Sequence, residues 1–177
     1  MLQQLRFFIQ DYSRATGKYW FRGFYIWLSF SIIGIFFYRL ERGLFLIFGN
    51  FYRFLRVPLS PLLYLIEALS HIDINYHADI KGGLVILHHS MGVVINGGAI
   101  IGKNLTLTGG NVIGGKKSFK RGDFVIGDNC FLGANAVIMG PLIMGNSVAV
   151  GASACVVKDV PTDATVGGVP AKIIKQK

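Results

Sequence analysis

From Ile74 onward, aliphatic residues return at every sixth position: at 74, 80 and 86, at 95, 101, 107 and 113, and at 126, 132, 138, 144, 150 and 156. A period of six matches neither the ~3.6-residue turn of an α-helix nor the seven-residue repeat of a coiled coil. It is the signature of a parallel β-helix, in which each hexad supplies one short strand and one corner. The recurring aliphatic points into a narrow prism. Four residues later a second inward position is filled mostly by small or aliphatic side chains: Ala78, Leu84, Ser90, Ala99, Leu105, Cys130, Ala136, Leu142, Val148 and Ala154, with Asn111 the polar exception. Glycine directly follows the aliphatic at 102, 114, 127, 133, 145 and 151, where a corner asks for backbone freedom. Three hexads close one coil, so residue n+18 is expected one strand spacing, ~4.8 Å, from residue n.

The rule breaks twice. Nine residues separate Ile86 from Ile95, three too many. Thirteen separate Ile113 from Ile126, one more than two hexads, and they hold the segment GGKKSFKRGDF. Loops leave a repeat prism at such breaks, and loops carry function. The first break holds the doublet His88-His89 within ILHHSMGVVINGGAIIG. By the n+18 rule Asp73 lies beneath Met91, two residues from His89, and His71 lies directly beneath His89.

Residues 1–70 are of a different kind. Most of the 14 phenylalanines fall there, whereas most of the 23 glycines fall later. The apolar runs FYIWLSFSIIGIFF (24–37), LFLIFGNF (44–51) and VPLSPLLYLIEAL (57–69) are each short of the ~18–20 residues of a membrane span. Arginines at 22, 39, 42, 53 and 56 interrupt the series and would have to snorkel. We expect two or three short helices at a bilayer interface. The same helices would otherwise bury their apolar faces against each other or a partner subunit. Pro58 and Pro61 are expected at the entry to the last helix. A formal net charge of +9 first suggests nucleic acid. Flanking by Phe, Trp, Ile and Leu fits an anionic membrane surface instead, with no nucleic-acid partner. Cys130 and Cys155 sit in aliphatic runs without metal-ligand spacing, which suggests buried thiols in a reducing compartment and no metal site. No cleavable leader is apparent in the first 23 residues. The expected organisation is a hydrophobic helical region over 1–70 and a β-helix with a C-terminal tail over 71–177.

The segments IDINYHADIKGGLVILHHSMGVVINGGAIIGKNLTL, VIGDNCFLGANAVIMGPLIMGNSVAVGASACVVKDVP and GGVPAKII resemble the hexapeptide-repeat acyltransferases over about residues 72–177. The branch resembled is that of the serine acetyltransferase-like O-acetyltransferases, including those acting on surface polysaccharides. Residues 1–70 are more similar to the short hydrophobic head of the polysaccharide type. The resemblance implies a mainly β chain: a left-handed parallel β-helix, assembled as a homotrimer, with acetyl-CoA as co-substrate between neighbouring prisms. It implies a catalytic histidine in H-x-x-G-[IV]-[IV]-[IV], a pattern that His89-Ser90-Met91-Gly92-Val93-Val94-Ile95 fits in register. His88 fits if the extra residue is placed after the histidine. The acid partner implied is Asp73 of IDI. Gly114 and Gly115 are implied as oxyanion donors, Ala134 and Ala152 as main-chain contacts to the cofactor, and Val157, Lys158 and Lys175 as contacts near its anionic nucleotide end.

Acetyl transfer to an alcohol needs a base for the hydroxyl proton, and a neutral imidazole can serve near pH 7. A carboxylate can hold that imidazole in one tautomer, and backbone N–H groups can meet the developing oxyanion. Ser90 is assigned to an inward position, so direct attack is expected over an acyl-enzyme. Serine acetyltransferases carry an Asp before the histidine and an Arg-His pair before the next hexad, where this chain has His88 and Gly122-Asp123. The absence of those charged partners suggests another hydroxyl acceptor, a glycan or lipid-linked glycan precursor. Lys116, Lys117, Lys120, Arg121 and Asp123 would then face it, unless that loop is merely solvated. The expected function is therefore glycan O-acetylation at the cytoplasmic face of a membrane. The alternatives are serine O-acetylation in cysteine biosynthesis and a non-catalytic trimeric scaffold.

Overall fold

The hexads do form strands, and the strands stack in parallel. The computed structural model describes residues 1–19, 21–115 and 120–176. Four α-helices come first: α1 (Leu2–Thr16), α2 (Arg22–Ile26), α3 (Phe30–Phe48) and α4 (Tyr52–Ser70). The strands, numbered in chain order, wind into a left-handed parallel β-helix. One sheet stacks β1 (Ile72–Ile74), β4 (Val93–Ile95), β7 (Asn111–Gly114), β10 (Val137–Met139) and β13 (Cys155–Val156). A second stacks β2 (Asp79–Ile80), β5 (Ala99–Ile101), β8 (Phe124–Ile126) and β11 (Leu142–Met144). The third stacks β3 (Val85–Ile86), β6 (Thr106–Leu107), β9 (Phe131–Leu132), β12 (Ala149–Val150), β14 (Ala164–Gly167) and an antiparallel β15 (Lys172–Gln176). Every hexad aliphatic from Ile74 to Val156 is buried.

The register corrects the n+18 rule. Between the first two coils the pairing is 21 residues, Ile72 with Val93 and Ile74 with Ile95, because the extra three residues lie inside the first coil. Asp73 therefore pairs with Val94 rather than lying under Met91. His71 caps α4 in the left-handed region at φ 54°, and its carbonyl accepts from Val93 N–H at 2.9 Å. It does not lie beneath His89. The second break is also read differently. Ile101 pairs with Ile126, so the interval from Ile113 to Ile126 is one hexad with seven added residues, not two hexads and one. Ser90 is exposed within a 3₁₀ turn (His89–Met91) instead of pointing inward, since the added residues bulge out of the prism.

β1, β2 and β3 each end a sheet, and bare strand edges need partners. The helices supply them. Asp11 Oδ1 accepts the N–H groups of Gly83 and Leu84, both at 2.7 Å. Arg39 donates to the carbonyls of Ile80 and Lys81 and pairs with Asp11 at 2.9 Å, the two side chains being 2% and 0% exposed. Tyr38 Oη donates to Ala78 carbonyl at 2.9 Å, and Arg42 donates to the carbonyls of Tyr76 and His77. Arg39 and Arg42 thus point inward and are buried, contrary to the snorkelling expected of them. Their carbonyl and carboxylate partners make that burial tolerable. Phe8, Ile32, Ile35 and Tyr38 join one continuous core with the β-helix.

α4 begins before both prolines, which lie inside it. Pro61 leaves the Val57 carbonyl without its helical donor, and the Ser60 hydroxyl donates to it at 2.7 Å. That substitution lets the helix continue past a residue expected to start it. Among the described residues no helix is long and apolar enough to cross a membrane.

Removing one side of a buried ion pair leaves an uncompensated charge, worth about 3–5 kcal/mol. Arg39→Met is expected to lower unfolding free energy by that order in a denaturant titration. Asp11→Ala should cost at least as much, because it also orphans two N–H groups.

Candidate active site

The histidine doublet leaves β3 at the corner joining the third sheet to the first. His88 N–H donates to Thr108 carbonyl at 2.9 Å, and its own carbonyl accepts from Met91 N–H at 3.2 Å. Gly92 closes the turn at φ 78°, its N–H donating to His89 carbonyl at 2.8 Å. His88 is exposed and His89 half-buried, with the Phe30 ring 6.1 Å from the His89 ring. Exposed Leu87 and Met91 flank the pair.

The turn rests on a glycine. A Cβ on Gly109 would lie 2.4 Å from His88 carbonyl oxygen and 3.1 Å from Met91 Cβ, and its φ is 135°. Gly109 N–H donates to Asn111 Oδ1 at 2.9 Å, while Asn111 Nδ2 donates to Gly133 carbonyl at 2.7 Å. This explains the one polar inward position: Asn111, 1% exposed, fixes the corner on which the histidines sit. The polar exception in the repeat was the available signal for it.

Below that turn the corner continues as a column of small residues. Gly110 N–H donates to Gly92 carbonyl at 2.7 Å, Asn135 N–H to Gly109 carbonyl at 2.8 Å, and Ser153 N–H to Ala134 carbonyl at 2.8 Å. Ala134 and Ala152 thus stack one coil apart beneath the histidines; Ala152 is exposed and Ala134 half-buried. Lys175, on β15 opposite Thr165, is exposed, as are Val157 and Lys158. The latter two follow β13, where the first sheet turns toward the second.

Asp73 does not join the histidines. Among the described residues no hydrogen bond or ion pair links it to His88 or His89. It stands instead on the outer face of the first sheet. There Asp73, Val94, Val112, Gly114, Gly115 and Met139 line a groove of about 390 Å³. Asp73 also borders a smaller cavity of about 80 Å³ between α3, α4 and β1, lined by Glu41, Arg56, Glu67 and Tyr76 among others. Burial is the main cause raising the carboxyl pKa of both Asp73 and Glu67; the Asp73 charge raises that of Glu67 further, while Arg56 opposes both shifts. Arg56 is held by Glu41 at 2.7 Å. Sequence reading missed Arg56 and Glu67, which belong to a helix whose contact with β1 no local pattern announces.

The second break is only partly described; Lys116 and Lys117 lie outside the described residues. Arg121 is engaged by Asp79 at 2.8 Å. Asp123 accepts the backbone N–H of Lys120 at 2.6 Å, and Lys120 is exposed. Among the described residues no group of His, Cys, Asp or Glu side chains could hold a metal ion.

No protein-family model matches the chain. It is 37% identical over 123 residues to the serine acetyltransferase of Synechococcus elongatus, covering 67% of this chain and 50% of that protein. It is 39% identical over 114 residues to the serine acetyltransferase of Mycobacterium tuberculosis, covering 61% of this chain and 47% of that one. The chain thus spans about half the length of these curated relatives. The crystal structure of Neisseria gonorrhoeae serine acetyltransferase superposes with a TM-score of 0.82 at 28% identity, over 99% of this chain and 66% of that one. These findings overturn glycan O-acetylation as the expected function. The helical region expected to mark a polysaccharide-type head is included in the superposition.

Raised carboxyl values have a definite sign in stability. The folded state holds its proton more tightly than the unfolded chain, so this contribution is full below the ordinary carboxylate range and is lost as pH rises through the raised values. Thermal melts of Glu67→Gln should therefore exceed those of the unmodified chain above the ordinary carboxylate range and converge with them in acid. A separate expectation concerns Gly109→Ala. Its Cβ must displace the histidine turn, which circular dichroism would report as a folded protein with a lowered melting temperature.

Proposed function

We propose that this relative of the serine acetyltransferases, a hexapeptide-repeat β-helix, is an acetyl-CoA-dependent O-acetyltransferase acting on serine. The observation that carries the reading is the corner column. A half-buried imidazole stands at its head, and unbranched small residues run beneath it. That shape suits an extended thioester arm lying along the corner with its acyl end near the histidines. Support for the acceptor comes from the relatives, whose names specify serine.

In this reading His89 accepts the serine hydroxyl proton as the oxygen attacks the thioester carbonyl, and the thiol leaves as CoA. His88, exposed beside it, contacts the acceptor. Gly114 and Gly115 lie at the far end of β7 from the histidine turn. They supply N–H donors to the oxyanion of a neighbouring copy's site, and the protein accordingly works as a homotrimer. The exposed apolar side chains of Val94, Val112 and Met139 on that face suit burial between protomers. Ala134 and Ala152 contact the arm through main-chain groups. Val157, Lys158 and Lys175 receive the nucleotide end, where lysines complement phosphate charge.

The test is thiol release from acetyl-CoA with serine as acceptor. His89→Ala is expected to lower kcat by about 100- to 10,000-fold, and His88→Ala to act mainly on KM for serine. Equal and mild effects of both substitutions would reject a catalytic role for the doublet, and no turnover with serine would reject the acceptor.

A further inference from the structure

We propose that the outer face of α4 is a docking surface for an anionic lipid bilayer. This goes beyond acetyl transfer and does not depend on it. α4 buries only Tyr52, Leu63 and Ser70. Phe51, at its threshold, and Phe54, Val57, Leu62, Leu65 and Leu69 are between 48% and 68% exposed. At 100° per residue, these positions together with exposed Leu55, Leu59 and Tyr64 cover an arc of about 220° that contains no charged side chain. A helix packing on a second helix shows a narrower seam. An arc this wide fits a helix lying half-sunk in a fluid apolar layer.

Charge selects the kind of surface. Before Glu67 the chain has two carboxylates, Asp11 and Glu41. Both are buried, ion-paired with Arg39 and Arg56 respectively. Among the described residues, every exposed formal charge up to residue 66 is therefore positive, including Arg6, Lys18 and Arg53. Arg53 sits at the margin of the arc, its guanidinium 4.9 Å from the Phe54 ring centroid. That is the placement of a cation reaching lipid phosphates beside an immersed aromatic. A second copy docking by the same face would bring like charges together, whereas an anionic surface attracts all of them. With no described helix able to cross a bilayer, the attachment is peripheral.

Co-sedimentation of the full chain with phosphatidylcholine vesicles, with and without a quarter of phosphatidylglycerol, tests this. Binding is expected only to the anionic vesicles and should weaken with added salt. The double variant Leu62→Glu/Leu65→Glu should lower the bound partition about tenfold or more, with unchanged assembly mass by light scattering and unchanged thiol release. Absence of binding to either vesicle overturns the proposal, as does equal binding to the uncharged ones or an undiminished partition of the variant. A variant of altered assembly mass assigns the face to a second copy and overturns it equally. Thiol release reads the acetyl-transfer function separately, so failure of one proposal is distinguishable from failure of the other.

Discussion

A β-helix has two ends, and the Asp11–Arg39 pair is what makes the first of them tolerable. A prism of stacked coils satisfies its strands only in the interior; the first coil faces outward with unpaired N–H and C=O groups on three edges. Asp11 answers two of the N–H groups and Arg39 two of the C=O groups, while the two side chains neutralise each other. One carboxylate and one guanidinium, both nearly free of solvent contact, thereby carry an edge that would otherwise pair with another chain. α1 and α3 are held in place by the same bonds. The remaining helices are positioned relative to them.

Register follows from that anchored first coil. The three residues added between Ile86 and Ile95 shift the pairing of coil one to 21 without disturbing the inward aliphatics, since a whole coil is offset together. The surplus has to leave the prism, and it leaves as the 3₁₀ turn bearing the histidines. Its fit above the second coil is possible only because Gly109 has no side chain to strike His88 carbonyl. Asn111 then spends an inward position on holding Gly109. A polar side chain inside a dry prism is costly. Its three hydrogen-bonding contacts, to Gly109, Gly133 and Ala136, offset that cost.

The period of six was legible because burial enforces it at every coil. Ile74, Ile80 and Ile86 could be assigned inward on spacing alone, and the two breaks could be located to the residue. What the breaks do was harder to read. The n+18 rule has no way to know within which coil an insertion falls, so Asp73 was placed under Met91 when it pairs with Val94. Seven inserted residues after Ile113 imitate one further hexad for the same reason. Arg39 and Arg42 were misjudged because a charged residue in an apolar run looks snorkelled unless its partners are visible. Those partners are Asp11, 28 positions from Arg39, and backbone carbonyls 34 to 42 positions away, which any sequence possesses. The glycan expectation rests on absent charges at two aligned positions, and it is the similarity over the helical region and repeat alike that overturns it; Arg56 and Glu67 meanwhile reach Asp73 from a helix rather than from the repeat.

That placement bears on what the helices are for. Asp73 borders both the groove on the first sheet and the cavity beneath α4. Burial is the main cause raising its carboxyl pKa; from the helical side Arg56 opposes that shift by attraction and Glu41 adds to it by repulsion. A head that merely closed the prism would need neither residue there, because Asp11, Arg39, Arg42 and Tyr38 already satisfy the edge. The helical region therefore meets three demands with separate side chains. Its inward polar groups end the β-helix, Arg56 and Glu67 line the cavity that Asp73 borders, and the outer face of α4 is left apolar with Arg53 at its margin. Burial of every carboxylate before Glu67 links the first demand to the third. The same ion pairs that stabilise the cap also remove negative charge from the surface.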